Sequence, residues 1–137
     1  MNAVNPYFLH TLLEPITGLA DDDDAVIQYR SLDPNDESSV RRVIRELIVP
    51  HARSMPDKLC ERVKLAYKYY LSKQLSAEKD VRFDRVFNSI LPPFDAPDDP
   101  RQFFIWIWEE CFPGESYGLT DLENYTENLD INEPMRI

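Results

Sequence analysis

Glycine, cysteine and histidine are scarce in this 137-residue sequence, and each shortage excludes a class of structure or chemistry. The chain has only three glycines, two cysteines and two histidines. Few glycines leave few positions for left-handed turns, which disfavours a β fold rich in hairpins. Two cysteines do not make a disulfide framework. The spacing of His10, His51, Cys60 and Cys111 matches no zinc motif.

Long apolar runs are absent as well. No stretch approaches the roughly 20 residues needed to span a bilayer, and the first residues lack the basic and apolar regions of a signal peptide. We therefore expect a cytoplasmic, reducing location. Both cysteines lie within apolar patterns, which predicts two buried thiols.

The apolar content is nevertheless large enough for a core. Hydrophobic residues make up 43% of the chain and aromatic residues 12%, so wholesale disorder is not expected. Eleven prolines in this length are typical of many short helices that begin or end at proline. We predict one all-α domain, residues 1–137, folded as a compact array of about six to seven short helices.

Four helices follow from apolar stripes, N-terminal capping patterns and proline stops. The clearest stripe is Val40, Val43, Ile44, Leu47 and Ile48, which completes a helical face. Pro50 is expected to end that helix. Capping patterns at Ser54–Asp57, around Ser76 to Asp80, and at Asp99–Gln102 mark the other starts. The predicted helices are 34–49, 55–75, 80–91 and 100–112.

Three other segments carry weaker signals. Aspartates 21–24 before an apolar stretch favour a helix over 21–29, and a short strand from Val26 to Tyr29 is the alternative. Thr120 and Glu123 are spaced as a capping box, which predicts a short helix within 119–125. Residues 128–137 are expected to be an extended or frayed tail.

The run from Phe103 to Trp108 is apolar on every side. A helix of this kind is buried on most sides or meets a partner on one of them. We favour a buried central helix, and the alternative is a docking surface that exposes Trp106 and Trp108.

The net charge of −10 is unevenly distributed. Residues 1–29 carry −5, residues 30–85 carry +4, and residues 86–137 carry −9. The acidic ends could fold back on the basic middle and neutralise it, or serve solubility. A third interpretation is an acidic surface that steers and binds a basic partner.

Catalytic and cofactor motifs are missing from the sequence. No glycine-rich phosphate loop or nucleophile with a nearby base is evident, and aspartates 21–24 lack the order of a calcium loop. We predict a protein that is not an enzyme and has no metal or cofactor. Nucleic-acid binding by the basic, tyrosine-rich helix 55–75 is a weaker hypothesis, because the whole chain is acidic.

A protein-binding role remains. In size, acidity and lack of catalytic motifs, the chain resembles immunity proteins and antitoxins in general profile only. We predict a non-catalytic inhibitor of a basic, nuclease-like toxin. The alternatives are an acidic nucleic-acid mimic, or a regulatory or assembly subunit that docks through 103–108. Carboxylates beside aromatic residues favour an interface in the acidic C-terminal third. The candidate partner-binding residues are Glu109, Glu110, Glu115, Tyr117, Asp121, Glu123, Tyr125, Glu127 and Asp130.

Overall fold

A computed structural model describes residues 2–73 and 81–137, and these residues form an all-α fold with a minor two-stranded sheet. Seven α-helices lie within the described part of the chain, as predicted. They are α1 (Phe8–Thr11), α2 (Asp23–Tyr29), α3 (Glu37–Val43), α4 (Val49–Ser54), α5 (Asp57–Ser72), α6 (Val81–Ser89) and α7 (Pro100–Cys111). Short 3-10 turns occupy Glu14–Ile16, Leu19–Asp21, Leu122–Asn124 and Glu133–Arg136, and the strands are β1 (Asn2–Val4) and β2 (Tyr125–Glu127).

The aspartate run begins a helix, which settles the choice between helix and strand for 21–29. Asp22 is the N-cap of α2, and its Oδ1 accepts hydrogen bonds from the backbone N–H groups of Asp24 and Ala25 at 3.0 and 3.2 Å. These bonds satisfy two donors that the first helical turn leaves free.

Pro50 does not end the helix that contains it, so the predicted range 34–49 is wrong at both ends. Asp33 forms a turn with Asn35 and Asp36, and α3 starts only at Glu37. A π-helical turn, Ile44–Ile48, follows α3, and α4 then continues to Ser54 with Pro50 in its first turn. Proline is tolerated there because the first turn needs no backbone N–H from it. The π-turn resets the hydrogen-bond register just before the proline ring.

The other three predicted helices are present with shorter bounds. Met55 and Pro56 are extended, so α5 begins at Asp57, and Ser54 donates to the His51 carbonyl instead of capping α5. Helix α6 ends at Ser89 and α7 at Cys111. The predicted cap at 76–80 and the predicted end of the long helix near Leu75 lie outside the described residues.

Helix α7 runs through the centre of the core. Its residues Trp106 and Trp108 are only 5% and 1% exposed, and α7 contacts α3, the π-turn, α4, α5 and α6. The rings of Phe83 and Phe87 on α6 lie 4.7 and 5.1 Å from those of Phe104 and Phe103. The predicted buried central helix is confirmed, and docking through exposed tryptophans at 106 and 108 is wrong.

The two strands join the ends of the chain. β1 and β2 pair in parallel, with Asn2, Ala3 and Val4 opposite Tyr125, Thr126 and Glu127. Of the short helix predicted within 119–125, only a single 3-10 turn, Leu122–Asn124, is present; no side chain caps it, and β2 follows it directly. Residues 128–137, expected to be extended or frayed, include a second 3-10 turn, Glu133–Arg136.

Asn5 anchors this junction between the two ends. It is the one buried polar residue among those described, with 1% of its surface exposed. Its Nδ2 donates to the Asp130 carbonyl at 2.7 Å and to Glu133 Oε1 at 3.0 Å, while its Oδ1 accepts from the Tyr7 backbone N–H. The two bonds donated by Nδ2 hold the N-terminus against residues 130–133, near the C-terminal end of the chain.

Replacing Asn5 by alanine is expected to lower the free energy of unfolding by about 2–3 kcal/mol. The change leaves the partly buried Tyr7 backbone N–H and Asp130 carbonyl without their hydrogen-bond partner. Urea denaturation measures the change. The exposed Asn132 offers a matched control, and Asn132→Ala should change stability by less than about 0.5 kcal/mol. Equal effects of the two substitutions would contradict the anchoring role of Asn5.

Candidate protein-binding surface

The chain after α7, residues 113–137, wraps around α5 and is called the C-terminal segment below. It starts beside Lys64, reaches Ser72 at the end of α5, and returns to Arg62. At the far point the Ser72 hydroxyl donates to the Tyr117 carbonyl and accepts from the Leu119 backbone N–H. The nine candidate residues are therefore spread from the end of α7 along both sides of α5.

Glu109 and Glu110 lie against α3. Arg41 binds Glu109 at 2.5 Å, Glu110 at 3.4 Å and Glu37 at 3.0 Å, while Arg45 binds Glu110 at 3.2 Å. Burial opposes the charge of Arg41, but the hydrogen bonds that it donates to Glu109 and Glu37 outweigh this effect and raise its pKa. These carboxylates thus hold α7 to α3 rather than standing free.

Glu115 is held against α5. Both of its carboxylate oxygens lie 2.8 Å from the ammonium group of Lys64, and its carbonyl accepts a hydrogen bond from the indole N–H of Trp108. The same Lys64 lies 4.9 Å from the centre of the Phe112 ring. The turn after α7 is therefore fixed by one ion pair and one buried donor.

The two candidate tyrosines are half-buried. The guanidinium of Arg101 lies 6.0 Å from the Tyr117 ring, and the Tyr125 ring lies 6.0 Å from that of Tyr69. Each tyrosine thus presents only part of its ring to a partner.

The last two candidate carboxylates have partners of different kinds. Glu127 accepts a hydrogen bond from the Tyr70 hydroxyl at 2.6 Å. Asp130 accepts from the Asn132 backbone N–H and pairs with Arg136, and these bonds lower the pKa of its carboxyl group.

Asp121 and Glu123 are the exposed candidates that no cation of the described chain neutralises. The Asp121 carboxylate accepts a hydrogen bond from the Asn124 side chain at 3.4 Å, and Glu123 has no ion pair within residues 2–73 and 81–137. Both stand at the turn where the C-terminal segment reverses direction. Among the described residues, no cation of the chain competes with a partner for these two carboxylates.

Apolar side chains of the C-terminal segment were missed by the sequence-based prediction. Leu129, Ile131 and Ile137 are 63%, 61% and 47% exposed, and Met135 is 82% exposed. An expected frayed tail gave no reason to assign them to a surface. Their concentration within nine residues, next to Asp130, was the available signal.

The acidic ends do fold onto the basic middle. Besides the Arg41 and Lys64 pairs, Arg62 on α5 binds Glu133 at 2.9 Å, and His51 lies 3.7 Å from Glu14.

The burial of the α5 tyrosines argues against nucleic-acid binding by this helix. Tyr67, Tyr69 and Tyr70 are buried, so these rings are not free to stack on bases.

The two cysteines are half-buried, and His51 contacts a backbone carbonyl. His51 Nε2 lies 2.9 Å from the Thr11 carbonyl. Burial raises the pKa of Cys60, and burial together with Glu110 raises that of Cys111 to about 12. Both thiols are therefore protonated at neutral pH. The prediction of two buried thiols is met only in part, because Cys60 and Cys111 are each half-buried. In the described chain no three acidic, cysteine or histidine residues lie close enough to hold a metal ion.

No helix within the described ranges is long and apolar enough to cross a membrane. No protein-family model, curated protein or solved structure matches the chain. The case for the candidate surface therefore depends on the geometry of this chain alone.

Arg41 is expected to contribute more to stability than a comparable arginine on the same helix. Arg41 is 20% exposed and meets three carboxylates, whereas Arg42 is 76% exposed and pairs only with Glu46. Arg41→Gln should lower the free energy of unfolding by about 1–2 kcal/mol, and Arg42→Gln by less than about 0.5 kcal/mol. Urea denaturation at low and high salt measures the free energy of unfolding of both variants. The idea fails if the two variants are equally stable.

The Cys111 thiol is expected to react slowly in the folded chain. A rise in pKa from about 9 to about 12 lowers the thiolate fraction at pH 8 by about a thousandfold. In a Cys60→Ala variant, an aromatic disulfide reagent should label native Cys111 at least about a hundredfold more slowly than the urea-unfolded chain. Similar rates in both states would contradict the burial.

The pKa of Cys111 is higher in the folded chain than in the unfolded chain. Ionisation of this thiol should therefore lower the free energy of unfolding as pH rises from about 9 to 12.

Proposed function

We propose that the chain is a non-catalytic inhibitor of the immunity-protein or antitoxin kind, which binds and neutralises a basic, nuclease-like toxin in the cytoplasm. The proposed contact surface is the C-terminal segment together with the end of α7. The nine candidate residues, Glu109 to Asp130, are its acidic and aromatic part.

The observation that carries the proposal is the exposure of apolar side chains among carboxylates. Leu129, Ile131 and Met135 are each more than half exposed. Leu129 and Ile131 flank Asp130, and Glu123 and Glu127 precede all three in the chain. Protein interfaces of high affinity combine an apolar centre with a polar rim. A rim of carboxylates favours a partner rich in lysine and arginine, and it accelerates the encounter.

The carboxylates are not expected to contribute equally. Glu109, Glu110 and Glu115 already pair with arginine or lysine of the chain, so a partner cation gains less from them. Asp121 and Glu123 have no such compensation within the described residues. They should therefore dominate the attraction, and the paired carboxylates should mainly keep the surface rigid.

The alternatives have less support. A nucleic-acid mimic needs rows of free carboxylates along one face, whereas several of the acidic groups here are ion-paired. A subunit that docks through 103–108 would need exposed tryptophans, and both lie in the core.

Co-expression with the genes that flank its own tests the proposal. The wild-type chain should protect cells from a basic nuclease encoded there, and an inactive form of that nuclease should bind it tightly. Asp121→Lys/Glu123→Lys should raise the Kd by at least about tenfold, as expected for central interface charges.

A matched control is Asp57→Lys/Glu61→Lys, which changes the charge equally on exposed positions of α5. Circular dichroism confirms that both variants fold. The proposal is wrong if the wild-type chain gives no protection, or if both double variants bind the nuclease equally well.

A further inference from the structure

Helix α2 presents apolar side chains to solvent although it belongs to the most acidic part of the N-terminal region. Only Ala25 of this helix is buried, while Ile27 is 60% and Val26 is 36% exposed. Adjacent positions on a helix point about 100° apart, so these two side chains cover a broad part of its outer side. A stable surface helix normally turns such residues inward.

Leu91 is a third exposed apolar side chain, on a segment that neighbours the turn before α2. Its carbonyl accepts the Ala20 backbone N–H at 2.9 Å, and the Ile90 carbonyl accepts that of Gly18 at 2.6 Å, which places 90–91 beside the residues that lead into α2. Leu91 is 52% exposed and has a φ of +53°. A leucine in the left-handed region costs about 1–2 kcal/mol, and here about half of its side chain still faces solvent.

A cleft of about 310 Å³ opens beside the same helix, between the end of α2 and α3. Apolar groups of Leu32 and Val43 line it together with Tyr29, Arg42 and Glu46. Burial and the nearby Glu46 carboxylate raise the pKa of Tyr29. The Arg42–Glu46 pair is exposed, with an N–O distance of 3.0 Å, so water competes with it and a cationic side chain could replace Arg42 there.

The surroundings of this surface are strongly acidic. Three segments meet here, since the Asp98 backbone N–H donates to Asn35 Oδ1 and the rings of Tyr29 and Phe94 lie 5.9 Å apart. Their carboxylates are bonded only by neutral groups, and none has an ion pair within residues 2–73 and 81–137. They are Asp21, Asp22, Asp23, Asp24, Asp33, Asp36, Asp95, Asp98 and Asp99.

We propose that α2, Leu91 and the adjoining cleft form a second docking surface, which binds a cationic amphipathic segment of a basic partner protein. The partner's apolar side chains would cover Ile27, Val26 and Leu91, and its lysine or arginine side chains would meet the surrounding aspartates. The proposal rests on the proposed function only in taking the partner to be basic, because different residues build this surface.

The negative charge of this surface favours a cationic segment over other occupants. A second copy of the chain would bring its own aspartates to the same place, and like charges repel. Anionic lipid and nucleic acid are repelled for the same reason. A segment with both apolar and basic side chains satisfies the two features of this surface together.

A synthetic helical peptide of about 18 residues, with leucine on one face and arginine on the other, is a suitable probe. Titrated into the 15N-labelled full chain, it should shift the backbone amide signals of 21–33 and 91–99. Ile27→Ser should raise its Kd about tenfold, the effect of losing a central apolar contact. The binding should weaken as salt is added.

Lys58→Ser is the control, because Lys58 is exposed on α5 and belongs to neither proposed binding surface. It should leave the Kd within about twofold. A version of the peptide with glutamate in place of arginine should not bind. Since Ile27 and Lys58 are both exposed, the variants should keep the dispersed spectrum of the folded chain.

The proposal is overturned if the arginine peptide does not bind, if the shifts fall on 121–137 instead, or if Ile27→Ser and Lys58→Ser have equal effects. Equal binding of the glutamate peptide would also overturn it. Because no toxin is used, a failure here is distinct from a failure of the nuclease-protection experiment.

Discussion

The burial of α7 is the constraint on which the rest of the structure depends. This helix is apolar on nearly every side, so other elements must cover it on nearly every side. Helices α3, α4, α5 and α6 and the π-turn all contact it, and the described buried side chains form one cluster around it. A central helix of this kind leaves no apolar face of its own for a partner. The proposed binding surfaces therefore lie on the outer elements, where charge is concentrated.

Ion pairs hold the outer segments of the chain against the hydrophobic core. The acidic C-terminal segment returns along the basic helix α5 and is held there by Lys64 and Arg62, while Arg41 binds the end of α7. Pairing of this kind uses up much of the excess charge after α7. Unpaired carboxylates among the described residues include Asp121 and Glu123 and the aspartates around α2. The C-terminal segment and α2 also expose large apolar side chains, and this combination is the basis on which we propose basic protein partners.

Local signals account for what could be predicted, and long-range pairing accounts for what could not. Apolar stripes and caps act within a few residues, so the four main helices and the buried α7 followed from the sequence. Pro50 was misjudged because the π-turn that accommodates it has no recognisable pattern. The β1–β2 pair joins three-residue strands more than 120 residues apart, too short for a visible alternation. The candidate carboxylates could be named from composition, but which of them are neutralised depends on cations about 50 to 70 positions away, such as Lys64 and Arg41.

The environment of Trp106 and Trp108 in the isolated chain tests the central claim most directly, because these residues distinguish a buried α7 from an exposed docking helix. At 5% and 1% exposure, the two indoles should emit at short wavelength and resist quenching by acrylamide until denaturant unfolds the chain. Long-wavelength emission that acrylamide quenches readily in the folded chain would contradict the account. It would place the binding surface on the aromatic helix instead of on the acidic exterior.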